Sequence, residues 1–399
     1  MTGTSPFRPR TILAWVAVAA VLFAVPTIQD SLGTPLYHII FLYSVFFWIT
    51  QATSWNIFSG YSGYFSFGQG AFYGAGVYCT AILVTRHDFT LLPSLPVGAI
   101  VGALIALASG VLVFRLRRLT GEIFALFSLA IALGLGALAN NWGAIDGGRG
   151  ITLGSVDYPE FLGDTNQMLY YVALVLMLGA VFLAFSIQHS RFGFGLFAIR
   201  DDERVASGLG VPALRYKLLI FSLNGAIAGI SGALHAVQIN FVSPASAFGI
   251  RIPLFVIVMS VVGGRRHWLG PVVGAVLIYT VNDRLVGAGL AEVAQMLLAV
   301  VLILATVFLK GGIIVRLRER PWLALGAGAV VLAVQIVVLD SSIITDAAVA
   351  MMVALATLFL PERVYELIPG VRTPSERSDD SGPEEEAVEG EDDDRVTHT

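Results

Sequence analysis

Charge is scarce in this sequence. Only 13% of its 399 residues are Asp, Glu, Lys or Arg, where a soluble domain carries about 25%. A single cysteine, Cys79, excludes an internal disulfide and says nothing about redox compartment. No Gly-x-x-x-x-Gly-Lys-[Ser/Thr] phosphate loop occurs, so the chain is not expected to hydrolyse ATP itself. His-Glu-x-x-His and paired cysteines are missing too. His38, His87, His189, His235 and His267 are far apart along the chain and His398 lies near its end, which argues against a metal site. Carboxylates inside apolar runs, the usual mark of proton coupling, are few. Glu122 and Glu292 open such runs, where a helix dipole favours them, and Asp283 sits beside Arg284 at the edge of another.

Apolar sequence is what the chain has in excess. It is 56% hydrophobic, with a mean hydropathy of +0.79. About 20 apolar residues span a bilayer as a helix, and such runs recur along most of the chain. The expected fold is all-α: a polytopic helical membrane protein with about 10–12 transmembrane helices, short or broken ones among them. A β-barrel would instead show short alternating segments. Nothing points to nucleic acid.

The expected spans are 11–28, 36–57, 71–85, 96–114, 123–140, 169–187, 218–238, 251–262, 271–284, 291–309, 322–339 and 343–360. The first, preceded by Arg8 and Arg10, exceeds a signal-peptide core and has no Ala-x-Ala site after it, so it reads as a spanning helix. With both termini cytoplasmic, 20 Lys and Arg fall inside and 4 outside (Arg86, Arg149, Arg251 and Arg284), as the positive-inside rule requires. Runs 71–85, 251–262 and 271–284 are too short to cross a core of about 30 Å at 1.5 Å per residue. Each borders a Gly-rich segment, which suggests broken or re-entrant helices lining a polar cavity, or simply close packing.

The chain divides accordingly. Residues 1–35 form a first spanning helix and loop, 36–312 a core, 188–217 a cytoplasmic loop within it, 313–360 two further spans and 361–399 an acidic tail. Residues 370–399 hold 3 basic and 11 acidic side chains. Such a segment reads as disordered and cytoplasmic, solvating the terminus or binding a basic partner.

Three stretches stand out. "SGYSGYFSFGQGAFYGAG", 59–76, mixes six glycines with aromatic residues and no charge. Phe65, Phe67, Gln69, Gly70, Phe72 and Gly74 are candidates for a translocation path or for helix packing; Gly70 and Gly74, four apart, suit close helix approach. "DDERVASGLG", 201–210, can form a short amphiphilic helix capped by Asp202, weakened by Gly208 and turned by Pro212. Ala206 and Gly210 are small and four apart, so a partner could come close there and transmit force; an ordinary charged loop would read the same way. "NNWGAIDGGRG", 140–150, offers Asp146, Gly147, Gly148 and Arg149 to an external partner or solute, or is a surface turn. Beyond these, Gly225 and Gly229 predict tight helix contact, and Asn224 a bond across helices.

As an ensemble, these segments resemble the LivM-like permease subunits of ABC importers for branched-chain amino acids. "SGYSGYFSFGQGAFYGAGVYCTAIL", "RRLTGEIFALFSLAIA", "IRDDERVASGLGVPALRYKLLIFSLNGAIAGISGALHA" and "VVGGRRHWLGPVVGAVL" carry the likeness, which covers about residues 36–312. The resemblance implies a cell-membrane transport subunit, not an enzyme, that binds no cofactor. Two cytoplasmic ABC ATPase subunits would use ATP, a second related permease would pair with this one, and an extracytoplasmic solute-binding protein would deliver substrate. It also implies ATPase coupling through a Glu…Ala…Gly pattern, here Glu203, Ala206 and Gly210. Val205 and Gly208 depart from that pattern, Asp146 stands where such permeases have threonine, and the chain continues past "KGGII" at 310–314, where they commonly finish. Leucine, isoleucine, valine or other amino acids are the expected substrates, with urea and short amides the nearest alternative. An ATP-independent channel, an ion-coupled carrier and a membrane anchor are the readings from other classes. ATP-dependent uptake would separate them from an importer.

Overall fold

The computed structural model describes residues 36–115, 121–154, 156–159 and 163–308, together with residues 16, 19–20 and 22–26 of the first apolar run. The expected spans 322–339 and 343–360, the acidic tail and most of span 11–28 lie outside the described residues. Among the described residues the elements are α1 (Tyr37–Trp55), a π-helical turn (Asn56–Gly60), α2 (Gln69–His87), α3 (Leu91–Phe114), α4 (Gly121–Asn141), β1 (Ile151–Thr152), α5 (Thr165–Gln188), α6 (Arg191–Asp201), α7 (Glu203–Gly208), α8 (Ala213–Ile239), β2 (Phe241–Val242), α9 (Pro244–Ala247), α10 (Arg251–Gly263), α11 (Gly270–Gly287) and α12 (Ala291–Phe308). Five stretches of the described residues are long and apolar enough to cross a membrane: Leu91–Phe114, Ile123–Asn141, Thr165–Gln188, Ala213–Ile239 and Pro244–Gly263. The fold is that of a polytopic helical membrane protein, since a helix satisfies its own backbone where no water can.

The three short spans are longer than expected. α2 runs for 19 residues and α11 for 18. α10, 13 residues long, follows α9 after a bend at 248–250, so the apolar stretch extends over Pro244–Gly263. Glycine and polar residues conceal the ends of these helices from a hydropathy reading; Gln69, Gly70 and Gly270 at the starts of α2 and α11 are buried, whereas Arg86, His87 and Gly287 at their far ends are exposed.

Helix α8 occupies the centre and packs most extensively against α3 and α2. Glycine makes that possible. A Cβ on Gly102 would come within 2.3 Å of the Gly225 carbonyl oxygen, and one on Gly225 within 2.4 Å of the Gly102 oxygen. Helices in lipid gain little from apolar burial, so close backbone approach between small residues is a main source of their cohesion. The same device closes the α10–α11 hairpin, where a Cβ on Gly274 would lie 1.8 Å from the Met259 oxygen. In contrast, α4 turns Leu126, Leu133 and Leu138 outward.

At one end of α8, β2 pairs antiparallel with β1, Ile151 opposite Val242. This short ladder ties the loop after α4 to the end of the central helix. At the other end lie α6 and α7.

Candidate functional site

The Gly- and aromatic-rich stretch is a helix interruption. α1 passes into the π-helical turn Asn56–Gly60, residues 63–67 have no regular structure, and α2 begins at Gln69. Backbone groups released from a helix inside a bundle need other partners. Trp55 Nε1 donates to the Ser66 carbonyl at 2.7 Å, the Phe67 amide donates to Ser128 Oγ at 2.9 Å and the Gly68 amide to Ser66 Oγ at 3.1 Å. π-Helical turns recur at functional sites, and this one sits where three elements meet.

Gln69 then enters a polar cluster. Its Nε2 donates to Gln51 Oε1 at 2.7 Å and to Ser54 Oγ at 3.2 Å. Ser54 Oγ donates to Asn224 Oδ1 at 2.6 Å, so Asn224 does bond across helices. All four side chains are fully buried. Gln69 Oε1 and Asn224 Nδ2 have no hydrogen-bond partner among the described residues. The other residues singled out in this stretch make packing contacts. Phe72 is buried, edge-on to Phe221 at 5.2 Å. Phe65 lies edge-on to Trp55 and beside Phe67. A Cβ on Gly74 would meet the Phe248 ring at 2.6 Å, and one on Gly70 the Gly249 oxygen at 3.3 Å.

The loop 188–217 contains two helices. Ser190 caps α6, accepting from the Gly193 amide at 3.1 Å. Asp202 caps α7, accepting from the amides of Arg204 at 2.8 Å and Val205 at 3.0 Å. These bonds favour the ionised carboxylate and hold the Asp202 pKa below its ordinary value. α7 closes in a Schellman motif: the Val211 amide bonds the Ala206 oxygen and the Gly210 amide the Ser207 oxygen, both at 3.1 Å. Gly210 takes φ +89° at the left-handed position, where glycine is the residue without a steric cost.

Of the two small residues expected to face a partner, Gly210 is exposed with open space around it, whereas Ala206 is not. Ala206 is buried against Ile199 and Ala213. Val205 and Leu209, 59% and 80% exposed, face outward instead. Glu203 also turns inward. Its Oε1 accepts from Lys217 Nζ at 2.6 Å and its Oε2 from Tyr64 OH at 2.5 Å. Lys217 Nζ further donates to Tyr64 OH at 3.2 Å and lies over the Tyr64 and Phe114 rings at 4.7 and 5.1 Å. Removing one partner of a buried ion pair costs about 3–5 kcal/mol; the value is lower here, because the Glu203 side chain keeps 35% of its surface exposed while Lys217 keeps 6%. Neither Lys217 nor Tyr64 stood out in the sequence. A lone lysine at the start of a long apolar helix was the one available signal.

In the loop after α4, Asp146 is engaged by Arg86, whose Nη2 lies 2.7 Å from Asp146 Oδ2. Gly147 is buried, and Gly148 and Arg149 are exposed. Nearby, a groove of about 300 Å³ runs between α4 and the α9 turn, lined among others by Gly136, Asn140, Pro244, Phe248 and Gly249.

Residues 37–306 match the family described as branched-chain amino acid transport system / permease component. The chain is 29% identical over 303 residues to the high-affinity branched-chain amino acid transport system permease protein LivM of Escherichia coli (strain K12), covering 69% of this chain and 68% of that protein. It is 28% identical over 219 residues to the probable branched-chain amino acid transport permease protein LivH of Methanocaldococcus jannaschii, covering 53% and 69%. A shorter similarity, 26% over 139 residues, relates it to the ribose import permease protein RbsC of Escherichia coli (strain K12), covering 33% and 43%. No solved structure matches the chain.

Proposed function

We infer the function from one fact: the chain belongs to the family of permease components of branched-chain amino acid transport systems. It is accordingly the permease component of an ABC-type system, with a transport role and no catalytic one. We propose that the solute is a branched-chain amino acid, and that this chain pairs with a second related permease, two ABC ATPase subunits and an extracytoplasmic solute-binding protein. In this reading both termini are cytoplasmic and α7 faces the ATPase. The spans 313–360 and the acidic tail are additions to the transport core.

The observation that supports ATPase docking is the presentation of α7. A helix of six residues, fixed by a cap at one end and a Schellman turn at the other, presents two exposed apolar side chains, Val205 within it and Leu209 at its C-cap. Two exposed apolar side chains side by side give a partner apolar area to remove from water. The proposed contact is therefore made by Val205 and Leu209, while Ala206 and Gly210 set the shape of the helix and Glu203 serves from within.

The groove between α4 and α9, together with the outward apolar side of α4, is the proposed place for the sister permease and the solute route. Uptake of labelled leucine into vesicles containing the full set of subunits tests the reading. ATP-dependent uptake that requires the binding protein supports it. Uptake that proceeds without ATPase subunits would identify a channel or carrier instead, and stimulation by urea or short amides in place of leucine would reassign the substrate.

A further inference from the structure

We propose that Lys217 is a positioning residue that transmits movement of α7 into the helix break before α2, acting through Glu203 and Tyr64. The proposal rests on the reading of α7 as the ATPase-facing element.

Three parts of the chain meet in this trio. Glu203 opens α7, Lys217 lies in the first turns of α8, and Tyr64 belongs to the irregular stretch 63–67. The bonds close a ring: Lys217 Nζ donates to Glu203 and to Tyr64, and Tyr64 OH donates to the second oxygen of Glu203. Every polar atom at its centre is thereby used. If Glu203 moved away alone, it would leave the Lys217 ammonium, 6% exposed, without its counter-charge. Burying an unpaired ammonium is costly. The three groups therefore move together, which is what a mechanical link requires.

The link leads somewhere that can respond. Tyr64 packs edge-on against both Phe114 and Phe124, at 5.7 and 5.6 Å, and these two rings stack on each other at 5.1 Å, so a shift of the Tyr64 ring is felt by the ends of α3 and α4. Its neighbour Gly63, at φ +82°, lies beneath the Arg200 side chain; a Cβ there would stand 2.6 Å from Arg200 Cγ. The loop thus grips residues 63 and 64 from α6 and from α7 at once. Lacking a continuous ladder of helical hydrogen bonds, 63–67 is the point at which α1 and α2 can change their mutual angle. Five residues after Tyr64 comes Gln69, bonded to Gln51 and Ser54 in the buried polar cluster. A displacement at α7 thereby reaches the middle of the bundle through a short path of named contacts.

The test uses the complete complex of permeases and ATPase subunits in lipid nanodiscs, with leucine-loaded binding protein as the probe. Lys217→Met, Tyr64→Phe and Glu203→Gln are compared with the unaltered chain by size-exclusion profile, ATPase recovery, basal ATP turnover and stimulated turnover. For Lys217→Met and Tyr64→Phe the expected result is normal recovery and basal turnover, with stimulation reduced about tenfold in Lys217→Met, within the range of coupling among members of one network; Glu203→Gln, which leaves the Lys217 ammonium without its counter-charge, is expected to lower recovery as well. A merely structural role would lower the amount of assembled complex and leave its stimulation ratio intact. The exchanged pair Lys217→Glu with Glu203→Lys should recover more stimulation than either single change. Full stimulation in correctly assembled Lys217→Met, or in Tyr64→Phe, which deletes one hydroxyl and keeps the ring, overturns the proposal. If the unaltered chain recovers no ATPase, the importer reading itself fails and the link falls with it, a result distinct from loss in the variants alone.

Discussion

Gly76 of α2 and Gly229 of α8 touch backbone to backbone: a Cβ on Gly76 would stand 1.9 Å from the Gly229 carbonyl oxygen. Because Gly229 also meets Gly98 of α3, this point joins three helices. Gly76→Ala is expected to force them apart and destabilise the bundle by about 1–3 kcal/mol, the usual cost of overpacking. Gly134→Ala, with nothing within 4 Å of its added Cβ, is the control. Thermal unfolding in detergent should show a lower Tm for the first and no loss for the second. Equal Tm values would mean that the three helices do not meet as closely as described.

Leu209, the C-cap of α7, is 80% exposed. Leu209→Asp should weaken recovery of the ATPase subunit about tenfold or more, the equivalent of about 1.4 kcal/mol, with an unchanged size-exclusion profile. Substituting Gly210 would be a poorer test, because its φ of +89° strains any other residue whether or not a partner docks there. Normal ATPase recovery by Leu209→Asp would remove α7 from the docking surface.

From the charge pattern we expect Gly208 on the cytoplasmic side and the loop after α4 outside. Gly208 and Gly143 both have open space around an added Cβ, whereas Gly147 is buried at φ +53°. Single cysteines at 208 and 143 in a Cys79→Ala background should therefore react with membrane-impermeant maleimide from opposite sides. Labelling of both from the same side would invalidate the orientation.

Asp202 supports α7 as a carboxylate, and its pKa lies below the ordinary value because the Val205 and Arg204 amides bond the charged form. A depressed folded-state pKa means the contribution is complete above the unfolded-state value of about 3.9 and is lost as pH falls through the folded value. Hydrogen-exchange protection of the Arg204 and Val205 amides should accordingly persist down to about pH 4 and decline below it. Asp202→Asn should flatten that dependence. Protection that is constant to lower pH in the unaltered chain would rule out the carboxylate cap as the source.

Local chemistry was readable from the chain itself. Scarce charge and recurrent apolar runs determined residence in a membrane and helical structure, because only a self-satisfied backbone suits lipid. Asp202 as a cap and Gly225 and Gly229 as close-contact points also followed from residue type and spacing, since caps and small-residue faces depend on neighbours within a turn or two. The tertiary structure alone decided the rest. It set the true lengths of α2 and α11, whose glycine and polar ends escape a hydropathy window whether buried, as Gln69 and Gly270 are, or exposed, as His87 and Gly287 are. It turned Ala206 inward and Leu209 outward, a choice made by Ile199 and Ala213. It also gave Glu203 its partners, Lys217 14 residues away and Tyr64 139 residues away. No periodicity within one segment encodes such a meeting; it exists because α8, α7 and the break before α2 converge at one end of the bundle, where a buried ammonium needs a carboxylate.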